Sequence, residues 1–144
     1  MTYEVQSTEE IPFSQCEVAS IHPLACGEFA GTMEAGGMRC KVRVTRDIDG
    51  FDGGPAYVHA RVFPGEAAVP EDHIDIRAME VAAKAKSDEE WEPFSVELRY
   101  GLLCYSKIWN CRYPDDKAMD EFLLGAKSFI EKHGDYIDSI LGRE

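Results

Sequence analysis

No lysine or arginine occurs before Arg39, although the same 38 residues carry six glutamates: Glu4, Glu9, Glu10, Glu17, Glu28 and Glu34. Such a stretch repels phosphate polyanions at long range, which argues against binding bulk nucleic acid or an anionic membrane surface. No apolar run approaches the roughly 20 residues that span a bilayer. Met1 to Glu10 lacks the basic and hydrophobic regions of a secretory signal. A cytoplasmic protein is therefore expected. The five cysteines, Cys16, Cys26, Cys40, Cys104 and Cys111, are odd in number and contain no C-x-x-C pair. That argues against a disulfide framework and fits a reducing compartment. A glycine-rich phosphate loop and a nucleophile elbow are missing as well, so no cofactor is expected and an enzyme becomes the less favoured class.

What the chain does have is charge and a core. Twenty-seven acids against 15 bases leave a formal charge of −12 on 144 residues, while 44% hydrophobic and 10% aromatic content suffices for one folded domain over residues 1–144. The charge is segregated: after the cation-free leader, Arg39, Lys41, Arg43 and Arg46 fall within eight residues.

Alternation of side chains predicts strands around these cations. Phe29 and Met33 alternate with Glu28, Thr32 and Glu34, Ala35–Gly37 makes a turn, and Met38, Cys40, Val42 and Val44 alternate with Arg39, Lys41 and Arg43. With Gly36 and Gly37 at the two central turn positions, Glu34 lies opposite Arg39 and Met33 opposite Cys40. A third segment puts Ala56, Val58, Ala60 and Val62 on one side and Tyr57, His59, Arg61 and Phe63 on the other, beside the cations.

Further along, Glu71 and Asp72 precede Lys84 and Lys86, the order that suits a helix dipole, with Ile74, Ala78, Val81 and Ala85 at helical spacing. Ile74, Ile76 and Ala78 also alternate, as in a strand, but the alanine-rich run to Lys86 decides for a helix near residues 70–86. Ser87 and Glu90 have capping-box spacing before a short helical turn. Val96, Leu98 and Tyr100 alternate, and the run from Leu102 to Tyr113 extends the pattern past Gly101, giving two strands or one bent strand. Pro114, Asp115 and Asp116 open a long C-terminal helix with Met119, Phe122, Leu123, Ala126, Phe129 and Ile130 on one side, and the spacing continues beyond Gly134 to Ile137, Ile140 and Leu141. The expected class is α+β: an antiparallel sheet of about five strands, the C-terminal helix packed on one face, and the helix near 70–86.

Two sets of residues are candidates for binding. Arg39, Lys41, Arg43, Tyr57, His59 and Arg61 share a predicted outer sheet face on which guanidinium groups can grip a phosphate or carboxylate while a ring stacks on a planar body. The competing reading is cross-strand pairing of these cations with Glu28, Glu34 and other acids. Glu4, Glu9, Glu10, Glu17, Asp47, Asp49 and Asp52 would attract a basic partner, as a surface that keeps the protein dispersed would also look.

Metal sites are weaker. An EF-hand loop begun at Asp47 would need an acid at Phe51, glycine at Asp52 and glutamate at Val58, so the aspartates read as turn chemistry. His22 and Cys26, with Cys16 and Cys40 nearby, lack paired knuckles, and Pro23 breaks any helix between the first two. No metal is expected. The leading expectation is a non-enzymatic acidic binding protein that engages a basic protein surface, one form of which is an inhibitor competing with nucleic acid. A binder of small nucleotide-like anions on the sheet face is the alternative, and an enzyme without a recognisable motif is third.

Overall fold

The computed structural model describes residues 20–23, 28–47, 57–66, 68–110 and 116–142. Among them, six strands form one antiparallel sheet: β1 (Ser20–Pro23), β2 (Phe29–Ala35), β3 (Met38–Asp47), β4 (Tyr57–Phe63), β5 (Phe94–Glu97) and β6 (Leu102–Trp109). Their spatial order is β1-β2-β3-β4-β6-β5, so β6 inserts between β4 and β5. The helices are α1 (Ile74–Ser87), α2 (Asp116–Lys132) and α3 (Gly134–Ile140). No helix among the described residues is long and apolar enough to cross a membrane.

The β2–β3 register has Glu34 opposite Arg39 and Met33 opposite Cys40. Gly36 and Gly37 make this two-residue turn, both at positive φ (59° and 76°), where a Cβ would be strained. The sheet has six strands rather than about five. The additional one, β1, pairs Ile21 with Gly31 and His22 with Ala30. Its four residues are too few to show a period, and Pro23, which has no N–H to give a ladder, is a residue that sequence reading assigns to loops.

One sheet face is oily. Phe29, Met33, Cys40, Val42, Val44, Val58, Ala60, Val62, Phe94, Val96 and Leu103 are buried in a single cluster with Met119, Phe122, Leu123, Ala126, Phe129 and Ile130 of α2 and Ile137 and Ile140 of α3. Burying each large aliphatic side chain stabilises the fold by about 1.5–3 kcal/mol. Ring contacts join the layers: Phe122 lies 5.6 Å from Tyr105 and 5.7 Å from Trp109, and Phe129 lies 4.9 Å from Phe94. Trp91 sits between Phe94, Phe129, His133 and Tyr136, with centroids 4.6–5.5 Å apart.

The segment near 70–86 is helical, beginning at Ile74 after a short 3-10 turn (Glu71–His73). Exposure settles the ambiguity between helix and strand: Val81 is buried and Ile74, Ala78 and Ala85 pack partly against the core, whereas Ile76 is in solvent. The capping box at Ser87 is not formed. Ser87 Oγ turns back to the carbonyls of Ala83 and Lys84, and Asp88 instead caps the Glu89–Trp91 turn by accepting the Glu90 N–H at 3.0 Å. Residue 88 wins because its extended backbone (φ −147°, ψ 112°) is the conformation an N-cap needs, while Ser87 is still helical.

Between the last strands, the amides of Tyr100 and Gly101 both donate to the Glu97 carbonyl, and Gly101 is at φ 63°. The Gly101 carbonyl accepts from Val69 N–H at 2.6 Å. That bond ties the segment before α1 to the β5–β6 turn. His133 separates α2 from α3 and faces Glu90 Oε2 at 3.5 Å, beside Lys132 at 3.1 Å from the same oxygen.

Candidate functional site: the outer sheet face

Side chains opposite in parity to the core form the second face. Registers set Ala30 opposite Arg43, Arg43 opposite Arg61, and Arg61 opposite Ser106, a row running across four strands. The next row pairs Thr32 with Lys41 and Lys41 with Phe63. Like charges directly opposite one another are destabilising, so the Arg43–Arg61 pairing needs compensation. Two carboxylates give it from opposite sides. Arg43 Nη2 donates to Glu28 Oε1 at 2.7 Å, beside the start of β2, and Arg61 Nε lies 3.3 Å from Glu97 Oε2, at the end of β5. The second approach is an ion pair without hydrogen-bond alignment, since Arg61 Nε makes no hydrogen bond.

Between these flanks is an open groove of about 640 Å³. Lys41, Arg43 and Arg61 supply its cations, and Phe63, Tyr100 and Leu102 its apolar wall, with Glu97 at the side. Neither Lys41 nor Arg39 has an ion-pair partner among the described residues. Cys104, also on this face, is 2% exposed, and burial pushes its thiol up to about 12.

Of the six residues expected on this face, Lys41, Arg43 and Arg61 line the groove together. Arg39 is displaced towards the β2–β3 turn, opposite Glu34. Tyr57 and His59 lie towards the other end of β4, opposite Asp47 and Thr45. Burial, and then the neighbouring Arg61, push His59 down to about 4 from its ordinary 6.5. At neutral pH its ring therefore adds hydrogen-bonding capacity but no charge. Glu97, Tyr100 and Leu102 escape the sequence reading because their place depends on β6 lying against β4, and strand neighbours that are distant in sequence leave no periodic signal.

The acids expected to attract a partner fall differently. Glu4, Glu9, Glu10, Glu17, Asp49 and Asp52 lie outside the described residues, and Asp47 ends β3. A second charged surface is carried by α1. Ile76 and Met79 are 55% and 71% exposed, on the side turned away from Val81 and Ala85, and exposed Ala83 continues the stripe at i, i+3, i+7. Asp75 flanks it in sequence, Asp72 lies in the turn before the helix, Glu80 forms an ion pair with Arg77 at 3.1 Å, and exposed Lys86 follows Met79 at i+7.

A smaller hollow of about 450 Å³ opens between β6 and α2, lined by Lys107, Trp109, Glu121 and Phe122. Among the described residues no group of three or more His, Cys, Asp or Glu side chains is placed to hold a metal ion. Comparison of the chain with protein-family models, with curated proteins and with solved structures gave no match.

Proposed function

We propose that this chain is a non-enzymatic binding protein that engages a basic protein surface, and that α1 is its docking element. The observation that carries this reading is the exposure of Met79 and Ile76 on a helix that also buries Val81. Among the described residues, only one of the two apolar sides of this helix packs against the core. Covering both exposed side chains contributes about 1.5–3 kcal/mol each, and Asp72 and Asp75 at the helix start favour a partner with lysine or arginine beside its own apolar anchors.

The overall charge of −12 acts in the same direction at longer range, by steering a cationic partner and raising its association rate. A protein surface built to hold nucleic acid is one such partner, and occupying it makes this chain a competitor of nucleic acid. Among the described residues, Cys40 and Cys104 are in no disulfide, as expected in a cytosolic setting where thiols stay reduced.

The test uses the full chain as bait in lysate of its native cell, beside a double variant Ile76→Ser, Met79→Ser, with binding of the purified captured protein then measured at low and high salt. The expected result is a basic protein held by wild type, lost from the double variant, and bound progressively more slowly as salt rises. Equal capture by both baits, or association indifferent to salt, would sink the reading.

A further inference from the structure

The geometry points to a second, independent binding site: the groove between Arg43 and Arg61 takes a small amphiphile with one negative charge, a carboxylate, sulfonate or phosphodiester joined to a planar or apolar body. It does not rest on the docking role of α1, because no groove residue belongs to that helix.

The charge of the ligand follows from the local balance. Arg99, 5.4 Å over the Tyr100 ring, stands outside the lining. Of the side chains that line the groove, Lys41, Arg43 and Arg61 are cationic and Glu97 anionic, and Glu28 holds Arg43 from just outside, which leaves a single positive charge. One anionic group neutralises it. A polyphosphate would bring further charges against Glu97, Glu28 and a protein of net charge −12.

Its placement follows from the register. Arg43 and Arg61 are fixed opposite each other by the β3–β4 ladder, while their carboxylates hold them from opposite flanks. A guanidinium has five N–H donors, and one carboxylate contact leaves several for an anion lying between the two. Lys41, exposed and without an ion-pair partner among the described residues, adds a third donor at the same wall. A bound anion bridging the two arginines replaces a repulsion with two attractions.

The body of the ligand follows from what stands beside the cations. Phe63 lies directly across from Lys41, Leu102 adds an aliphatic surface, and Tyr100 is 59% exposed at the groove. A bare inorganic anion leaves these surfaces wet, whereas a ring or alkyl chain covers them. No nucleophile and base are paired in the groove, so the site is one of binding rather than turnover.

Calorimetric titration of the full chain with anilinonaphthalene sulfonate, cyclic AMP, laurate and ATP tests this, in wild type and in Lys41→Glu, Lys41→Arg and Lys86→Glu variants. Lys41 is exposed and has no ion-pair partner among the described residues, so its replacement leaves the fold intact, which circular dichroism verifies. The expected outcome is binding of at least one of the three monoanions, weakened about tenfold or more by Lys41→Glu, retained by Lys41→Arg and by the distant Lys86→Glu, with ATP weaker. Absence of binding by all three monoanions, equal affinity in Lys41→Glu, or preference for ATP would each overturn the proposal. The Ile76→Ser, Met79→Ser variant should bind the monoanion normally, which separates this site from the one on α1.

Discussion

Lys84 Nζ stands 5.0 Å from the ring centroid of Trp91 and 4.9 Å from that of Tyr136, so one ammonium group of α1 meets both the turn before β5 and the helix α3. Cation–π attraction at exposed sites contributes about 0.5–1 kcal/mol per ring. Replacing Lys84 by Met keeps the aliphatic stem and removes the charge, and should lower the midpoint of denaturant unfolding by an amount equivalent to about 1 kcal/mol. Lys86→Met, at a lysine with no such ring contact among the described residues, is the control. Equal losses in the two variants would show that the double ring contact contributes nothing of its own.

The depressed His59 gives a pH dependence whose sign can be worked out. Unfolded, this imidazole titrates near 6.5; folded, burial and Arg61 hold it to about 4. The unfolded chain binds its proton first on acidification, so stability from this group is full above about 6.5 and is lost as pH falls from there through about 4. Carboxylates titrate in part of the same window, so the measurement is the difference between wild type and His59→Gln. The variant should lose less stability than wild type between neutral pH and about pH 4.5. Parallel pH profiles would contradict it.

Gly36 and Gly37 are strained alike by any side chain but differ in their surroundings. A Cβ on Gly36 would lie 3.4 Å from the Ile130 carbonyl oxygen and 3.5 Å from Glu131 Cα, whereas one on Gly37 meets nothing within 4 Å. Alanine at either position costs about 1–2 kcal/mol of left-handed backbone strain. The distances at Gly36 are ordinary van der Waals contacts, so the strain dominates at both positions, and Gly36→Ala, whose methyl also gains contact with α2, should melt no lower than Gly37→Ala. A clearly lower melting temperature for Gly36→Ala would show that α2 cannot accept even a methyl at this point.

How much of this was legible beforehand varied with the range of the interaction. The pairing of Glu34 with Arg39 follows from two glycines and an alternating pattern, all within a dozen residues. The side chains Met119, Phe122, Leu123, Ala126, Phe129 and Ile130 are buried as their spacing predicts. In contrast, the second apolar side of α1 was hidden, because a stripe at Ile74, Ala78, Val81 and Ala85 already explains a helix and leaves Ile76 and Met79 looking incidental. The groove was legible on β3 and β4, where Lys41, Arg43, Arg61 and Phe63 are set by parity. Its far wall was not. Tyr100 and Leu102 arrive by a crossover of some thirty residues between β4 and β5, and which strand such a connection brings alongside is decided by packing of the whole core rather than by local pattern.

The outermost strands, β1 and β5, are four residues long each, while the ten-residue β3 lies enclosed in the middle of the sheet. Stubs of that length, one of them ending in a proline, offer a visiting peptide few free amides to zip onto. Recognition by main-chain addition, which is tolerant of sequence, is thereby discouraged. Among the described strands, selection therefore falls to side chains rather than to the main chain.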